Sequence, residues 1–139
     1  MNLDEALDAV QGSGSVEIER SGGSATVEVE DVDRLGVRVR RVRVERDQDW
    51  DIADTAHRLP QRLRSLPDPV VPQEVSPELG GAILRTDPNR YDGERYFEVE
   101  VGRRSAEVRR VRVSDGERAS EDWTLTREQL GKLLDELED

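Results

Sequence analysis

The 139-residue chain has no cysteine, one histidine, one lysine and only 4% aromatic residues. Each scarcity removes a class of chemistry. Without cysteine there are no disulfides and no thiolate metal sites. A single histidine, His57, builds no imidazole cluster. With few aromatics, aliphatic side chains must form the core, and at 34% hydrophobic against 38% charged that core is lean. No apolar run reaches the length of a membrane span. Met1-Asn2-Leu3-Asp4-Glu5 lacks the basic and apolar regions of a secretory leader. The expectation is a cytoplasmic protein with no cofactor and no metal. The net charge of −11 disfavours nucleic acid and anionic membrane as partners and suits a basic protein.

What is present is a repetition. Val37-Arg38-Val39-Arg40-Arg41-Val42-Arg43-Val44 returns as Ala106-Glu107-Val108-Arg109-Arg110-Val111-Arg112-Val113. Each copy runs through acidic residues to a tryptophan, Asp49-Trp50 and Asp122-Trp123, and then to a leucine-bearing helical pattern. The spacing predicts an α+β fold built from an internally duplicated unit, α-βββ-α followed by βββ-α. One domain over 1–139 is expected, with repeats at about 1–66 and 78–139 and a proline-rich connection at 67–77. Antiparallel sheet should carry the helices on one face, with the halves related by an approximate two-fold.

The elements follow from periodicity. Leu3, Ala6, Leu7 and Val10 have helical spacing, with Asn2 or Asp4 as cap. Val16 and Ile18, then Ala25, Val27 and Val29, alternate with polar residues around Ser21-Gly22-Gly23-Ser24, which predicts a hairpin. Two adjacent arginines invert the alternation of the repeated strand, so Arg40-Arg41 and Arg109-Arg110 each predict a bulge or sharp bend. Asp51 to Leu66 reads as helix, interrupted at Pro60. Ser76-Pro77-Glu78 predicts one helical turn. Strands follow at Ala82 to Arg85, Phe97 to Val101 and Ala106 to Val113, with a turn at Asp115-Gly116. Thr126 and Gln129 form a capping box, and Leu130, Leu133, Leu134 and Leu137 an apolar stripe.

Several groups invite a functional reading. Arg38, Arg41, Arg43, Arg110 and Arg112 are expected on the solvated face, where Glu17, Glu19, Glu28, Glu30, Glu98 and Glu100 of neighbouring strands would pair with them. Asp47, Asp49, Asp51 and Asp54 resemble the start of a calcium loop. However, its glycine and glutamate positions fall on Ile52 and Arg58, so a helix cap is the better reading. Trp50 and Trp123 are expected as buried hinges whose indole N–H groups find acceptors. His57 is expected at the surface. The stretch Asp87 to Tyr96 interrupts the repeat and carries both tyrosines, so Arg90, Tyr91, Arg95 and Tyr96 are the candidate partner-binding residues.

No phosphate-binding loop, nucleophile elbow, zinc spacing or nucleic-acid signature is present. In size, acidity and order of elements the chain resembles the small acidic chaperones of type III secretion systems. That resemblance implies a dimeric α/β protein that holds unfolded segments of other proteins. The expected function is a non-enzymatic protein-binding or chaperone-like module, with a homodimer compatible with it. The alternatives are an enzyme using carboxylates, with Asp49, Asp51 and Asp122 as candidates, or a structural subunit of a larger assembly.

Overall fold

A computed structural model describes residues 2–87 and 94–138. Three helices, α1 (Leu3–Ala9), α2 (Ile52–Arg62) and α3 (Arg127–Glu138), accompany nine strands. The strands are β1 (Gly14–Arg20), β2 (Gly23–Val32), β3 (Gly36–Arg46), β4 (Val70–Ser76), β5 (Gly81–Thr86), β6 (Glu94–Val101), β7 (Ser105–Ser114), β8 (Glu117–Glu121) and β9 (Trp123–Thr126). The main sheet has the order β1-β2-β3-β7-β6-β5-β4, all antiparallel, with β8 paired to β7 and β9 to β3.

Valine alternation explains the core. Val16, Val27, Val42, Val108, Val99 and Leu84 stand side by side across six strands. All six are buried, and they join the helix side chains in one hydrophobic cluster. Each such side chain contributes roughly 1.5–3 kcal/mol when fully buried. The helices supply Ala6 and Leu7, then Ile52, Ala56 and Leu59, and the complete leucine stripe of α3. No helix of the described residues is long and apolar enough to cross a membrane.

The bulge expected at Arg40 is present. Glu28 lies opposite Arg41 and Val29 opposite Val39, so Arg40 is unopposed, and so is Glu30 on β2. The two unopposed residues reach each other, with Arg40 Nε 3.2 Å from a Glu30 oxygen. This double irregularity keeps Val37, Val39, Val42 and Val44 all buried.

The second expected defect does not occur in the β6–β7 ladder, which runs without a break from Glu94–Val113 to Val101–Ala106. The reason lies in β6, whose alternation is never inverted. Val111 therefore turns to the face opposite the helices, where its cross-strand neighbour Tyr96 is also buried.

Other expectations need correction. The proline-rich connection contains a strand, β4, and the chain after β7 forms β8 and β9 before its helix. Pro72 and a register shift between Pro72 and Glu74 suit β4 to the sheet edge, where a missing N–H is tolerated. α2 ends at Arg62, two residues beyond Pro60, although Leu63 and Leu66 are still buried. Asp115 and Gly116 both have positive φ, the two-residue turn that closes a β-hairpin, here between β7 and β8.

Candidate functional site: a forked sheet and two clefts

The two arginine pairs meet at a fork. β3 pairs with β7 only from Arg41–Arg109 to Glu45–Ser105. Beyond that point β3 takes β9 as its neighbour and β7 takes β8. The chain returns to the fork at Glu121 and Asp122 and leaves it again along β3. The two acids serve opposite faces. Asp122 lies 3.8 Å from Arg38 and 3.6 Å from Arg40. Glu121 lies 2.9 Å from Arg95 and 3.4 Å from Arg110.

The face opposite the helices is a lattice of charge. Glu28, Arg41, Arg109, Glu98 and Arg85 form a row across five strands. Glu98 is its most buried member, with a side chain 5% exposed, and it receives three guanidiniums. Arg85 and Arg109 each lie 2.9 Å away and Arg118 lies 2.6 Å away. Burial pushes the Glu98 carboxyl up, but the hydrogen bonds from Arg85 and Arg109 and the charge of Arg118 outweigh it and hold it below the ordinary value. Arg85 and Arg118 also lie over the Tyr96 ring, at 5.5 and 5.8 Å. The ion pairing expected for this face is present in part. Arg41 reaches Glu28, and Glu98 takes Arg109 rather than Arg110 and Arg112. Glu17 and Glu19, however, stand opposite Thr26 and Ser24, and Glu100 stands opposite Glu107. Arg110 stands opposite Phe97, which places it on the helix side.

Two clefts flank these features. One, of about 540 Å³, lies toward the β4–β5 edge, where Leu79 and Ile83 meet Arg41, Arg43, Glu100 and Glu107. The other, of about 690 Å³, opens between the fork and α3. Phe97 and Trp123 contact edge to face there, with centroids 5.3 Å apart. Arg64, Arg110, Gln129 and Lys132 also line it. Glu136 of α3 holds the wall in place, accepting from the Arg64 and Ser65 backbone N–H groups and from the Ser65 hydroxyl.

Of the four candidate partner-binding residues, Arg90 and Tyr91 lie outside the described residues. Arg95 and Tyr96 lie within β6, not in a loop, and as neighbours in a strand they project to opposite faces. Arg95 binds Glu121, and Tyr96 is 8% exposed between its arginines. Tyr96 and Phe97 are adjacent strand-forming aromatics that run straight into the alternation of Phe97, Val99 and Val101, the signal for a strand beginning before Phe97. The three candidate catalytic acids occupy separate structural roles. Asp49 pairs with Arg104, which holds its carboxyl below the ordinary value. Asp51 caps α2 by accepting from the Asp54 N–H, and Asp122 sits in the fork.

Both tryptophans are buried, as expected. The Trp50 indole N–H donates to the Gly102 carbonyl at 2.6 Å, whereas that of Trp123 finds no acceptor among the described residues. His57 is exposed. No family model, characterised protein or solved structure matches the chain.

Proposed function

We propose that the protein is a non-enzymatic binding module that holds another protein against the β4–β5 edge of its sheet. The observation that carries this reading is apolar exposure along that edge. Leu79 is 85% exposed, Val71 49% and Val75 41%, and Leu79 borders the 540 Å³ cleft. Pro72 and the register shift in β4 oppose simple strand addition, so contact through side chains is the mode that fits. A net charge of −11 steers a basic partner, with an attraction that salt weakens. A chaperone-like role, in which the cleft receives an extended segment, is the form we favour.

We also infer that the chain is a duplicated unit within one domain. What supports this is the placement of the two arginine-rich strands, β3 and β7, side by side, with β2-β1 extending outward on one side and β6-β5 on the other. The measurement that checks it is superposition of β1–β3 on β5–β7 in a crystal structure, where Val39 should fall on Val108.

The binding test uses the tagged protein and a Leu79→Glu/Val71→Glu variant as baits in extract of the native organism, at low and moderate salt. The expected result is a specific basic protein retained by the first bait, weakened by salt and lost from the second. Equal retention by both baits would place the binding surface elsewhere. A dimer abolished by the same substitutions would make a second copy of the chain the partner.

A further inference from the structure

The 690 Å³ cleft between the fork and α3 has a composition at odds with the rest of the molecule. The chain carries 32 acidic residues against 21 basic ones, yet the residues lining this cleft include Arg64, Arg110 and Lys132 and no carboxylate. These cations are weakly engaged. The Arg64 guanidinium has no ion pair among the described residues, although Glu136 accepts from its backbone N–H. Among the described residues Lys132 has only the exposed helical pair with Glu128 at 3.3 Å, an arrangement worth roughly 0.3–0.5 kcal/mol. Arg110 shares Glu121 with Arg95, which lies closer to it. The charged side chains that line the cleft are therefore all cationic, with Glu121, Glu128 and Glu136 bonded to lining residues from outside it.

Its floor is aromatic. Phe97 meets the Trp123 ring edge to face, and the Arg110 guanidinium lies 5.6 Å from the Phe97 centroid. Trp123 is 6% exposed and its indole N–H is shielded from solvent, with no acceptor among the described residues. A buried donor left in that state costs roughly 1–3 kcal/mol, and well-packed proteins seldom keep one without a purpose. The volume falls within the range of ligand pockets, about 300–1,000 Å³, and the lining mixes Leu66, Phe97, Trp123 and Leu125 with the cations and Gln129.

We propose that this cleft binds a small organic anion with a flat apolar body. The body lies against Phe97 and Trp123, and the anionic group faces Arg64, Arg110 and Lys132. The site is independent of the protein-binding edge, which lies at β4 and β5.

The test titrates the full chain with 8-anilinonaphthalene-1-sulfonate, and in parallel with N-phenyl-1-naphthylamine, which has the same aromatic body without the charge. Arg64 and Lys132 are exposed, so an Arg64→Gln/Lys132→Gln variant should keep the wild-type melting temperature. Saturable binding of one sulfonate per chain is expected. The double variant should bind about tenfold more weakly or worse, and the neutral analogue likewise. In a proton–nitrogen correlation spectrum the two indole signals, assigned with Trp123→Phe, should respond differently. That of Trp123 should move on binding, while that of Trp50, held by the Gly102 carbonyl, should stay. Non-saturating binding, equal affinity for the neutral analogue, unchanged affinity in the double variant, or movement of the Trp50 signal alone would each overturn the proposal.

Discussion

Glu98 shows how a carboxylate is tuned in a lean, highly charged fold. Its carboxyl is held below the ordinary value, so it stabilises the fold at pH values above the unfolded-state pKa. That stabilisation is lost as pH falls through the lower folded value. Replacing Glu98 with glutamine keeps the shape and leaves three guanidiniums without their shared anion. Arg85, Arg109 and Arg118 keep 34%, 29% and 49% of their side-chain exposure, so solvent screens part of the cost. The expected loss is about 2–3 kcal/mol at pH 7, shrinking as both proteins are brought to about pH 3. Urea unfolding at the two pH values measures it, and an equal difference at both would contradict the assignment. The sequence made an arginine–glutamate network legible because valine alternated with charge. The members were not all legible, because β7 runs without the bulge its sequence suggests, which puts Arg109 where Arg110 and Arg112 were expected.

At the scale of elements, legibility followed how local the determinants are. α3 was fully readable. Thr126 and Gln129 exchange their reciprocal bonds, at 2.9 and 3.0 Å, and all four stripe leucines are 0% exposed. Thr126→Ala should therefore cost about 1 kcal/mol, seen as a lower urea midpoint with unchanged slope. β8 was unreadable for the opposite reason. Glu117-Arg118-Ala119-Ser120-Glu121 has no apolar alternation and is mostly exposed, and it is a strand because the Asp115-Gly116 turn folds it onto β7. β4 was hidden by Pro72, a residue that belongs at a sheet edge but reads as a loop. The cleft under the fork depends on β9 and the α2–β4 connection, so its residues could not be grouped from the sequence.

For the molecule as a whole, the fork depends on two strands changing face together. Val39-Arg40-Arg41-Val42 inverts its alternation, and so does Val29-Glu30-Asp31-Val32 on the neighbouring strand. The first inversion predicted a bulge, but the second went unread, although it carries the same two-residue signal. The pairing on either side of the irregularity, Val27–Val42 and Val32–Val37, is preserved because each strand contributes one unopposed residue. Deleting Arg40 alone would leave Glu30 uncompensated and slip β2 against β3 by one residue, turning Asp31 toward the core or breaking the Val32–Val37 pair. Deleting Glu30 alone does the converse. Each single deletion should cost about 1–3 kcal/mol. Deleting both restores a continuous ladder in which Val27, Val29 and Val32 oppose Val42, Val39 and Val37. The double deletion should therefore be more stable than either single one, a coupling that independent sites do not show. Urea unfolding of the three variants decides it, and costs that merely add would mean that the two irregularities are unrelated. Amide exchange in the double deletion then separates the bulge from its consequence. The irregularity at Arg40 coincides with the point where β3 exchanges β7 for β9, so if it directs the fork, protection along β9 should fall.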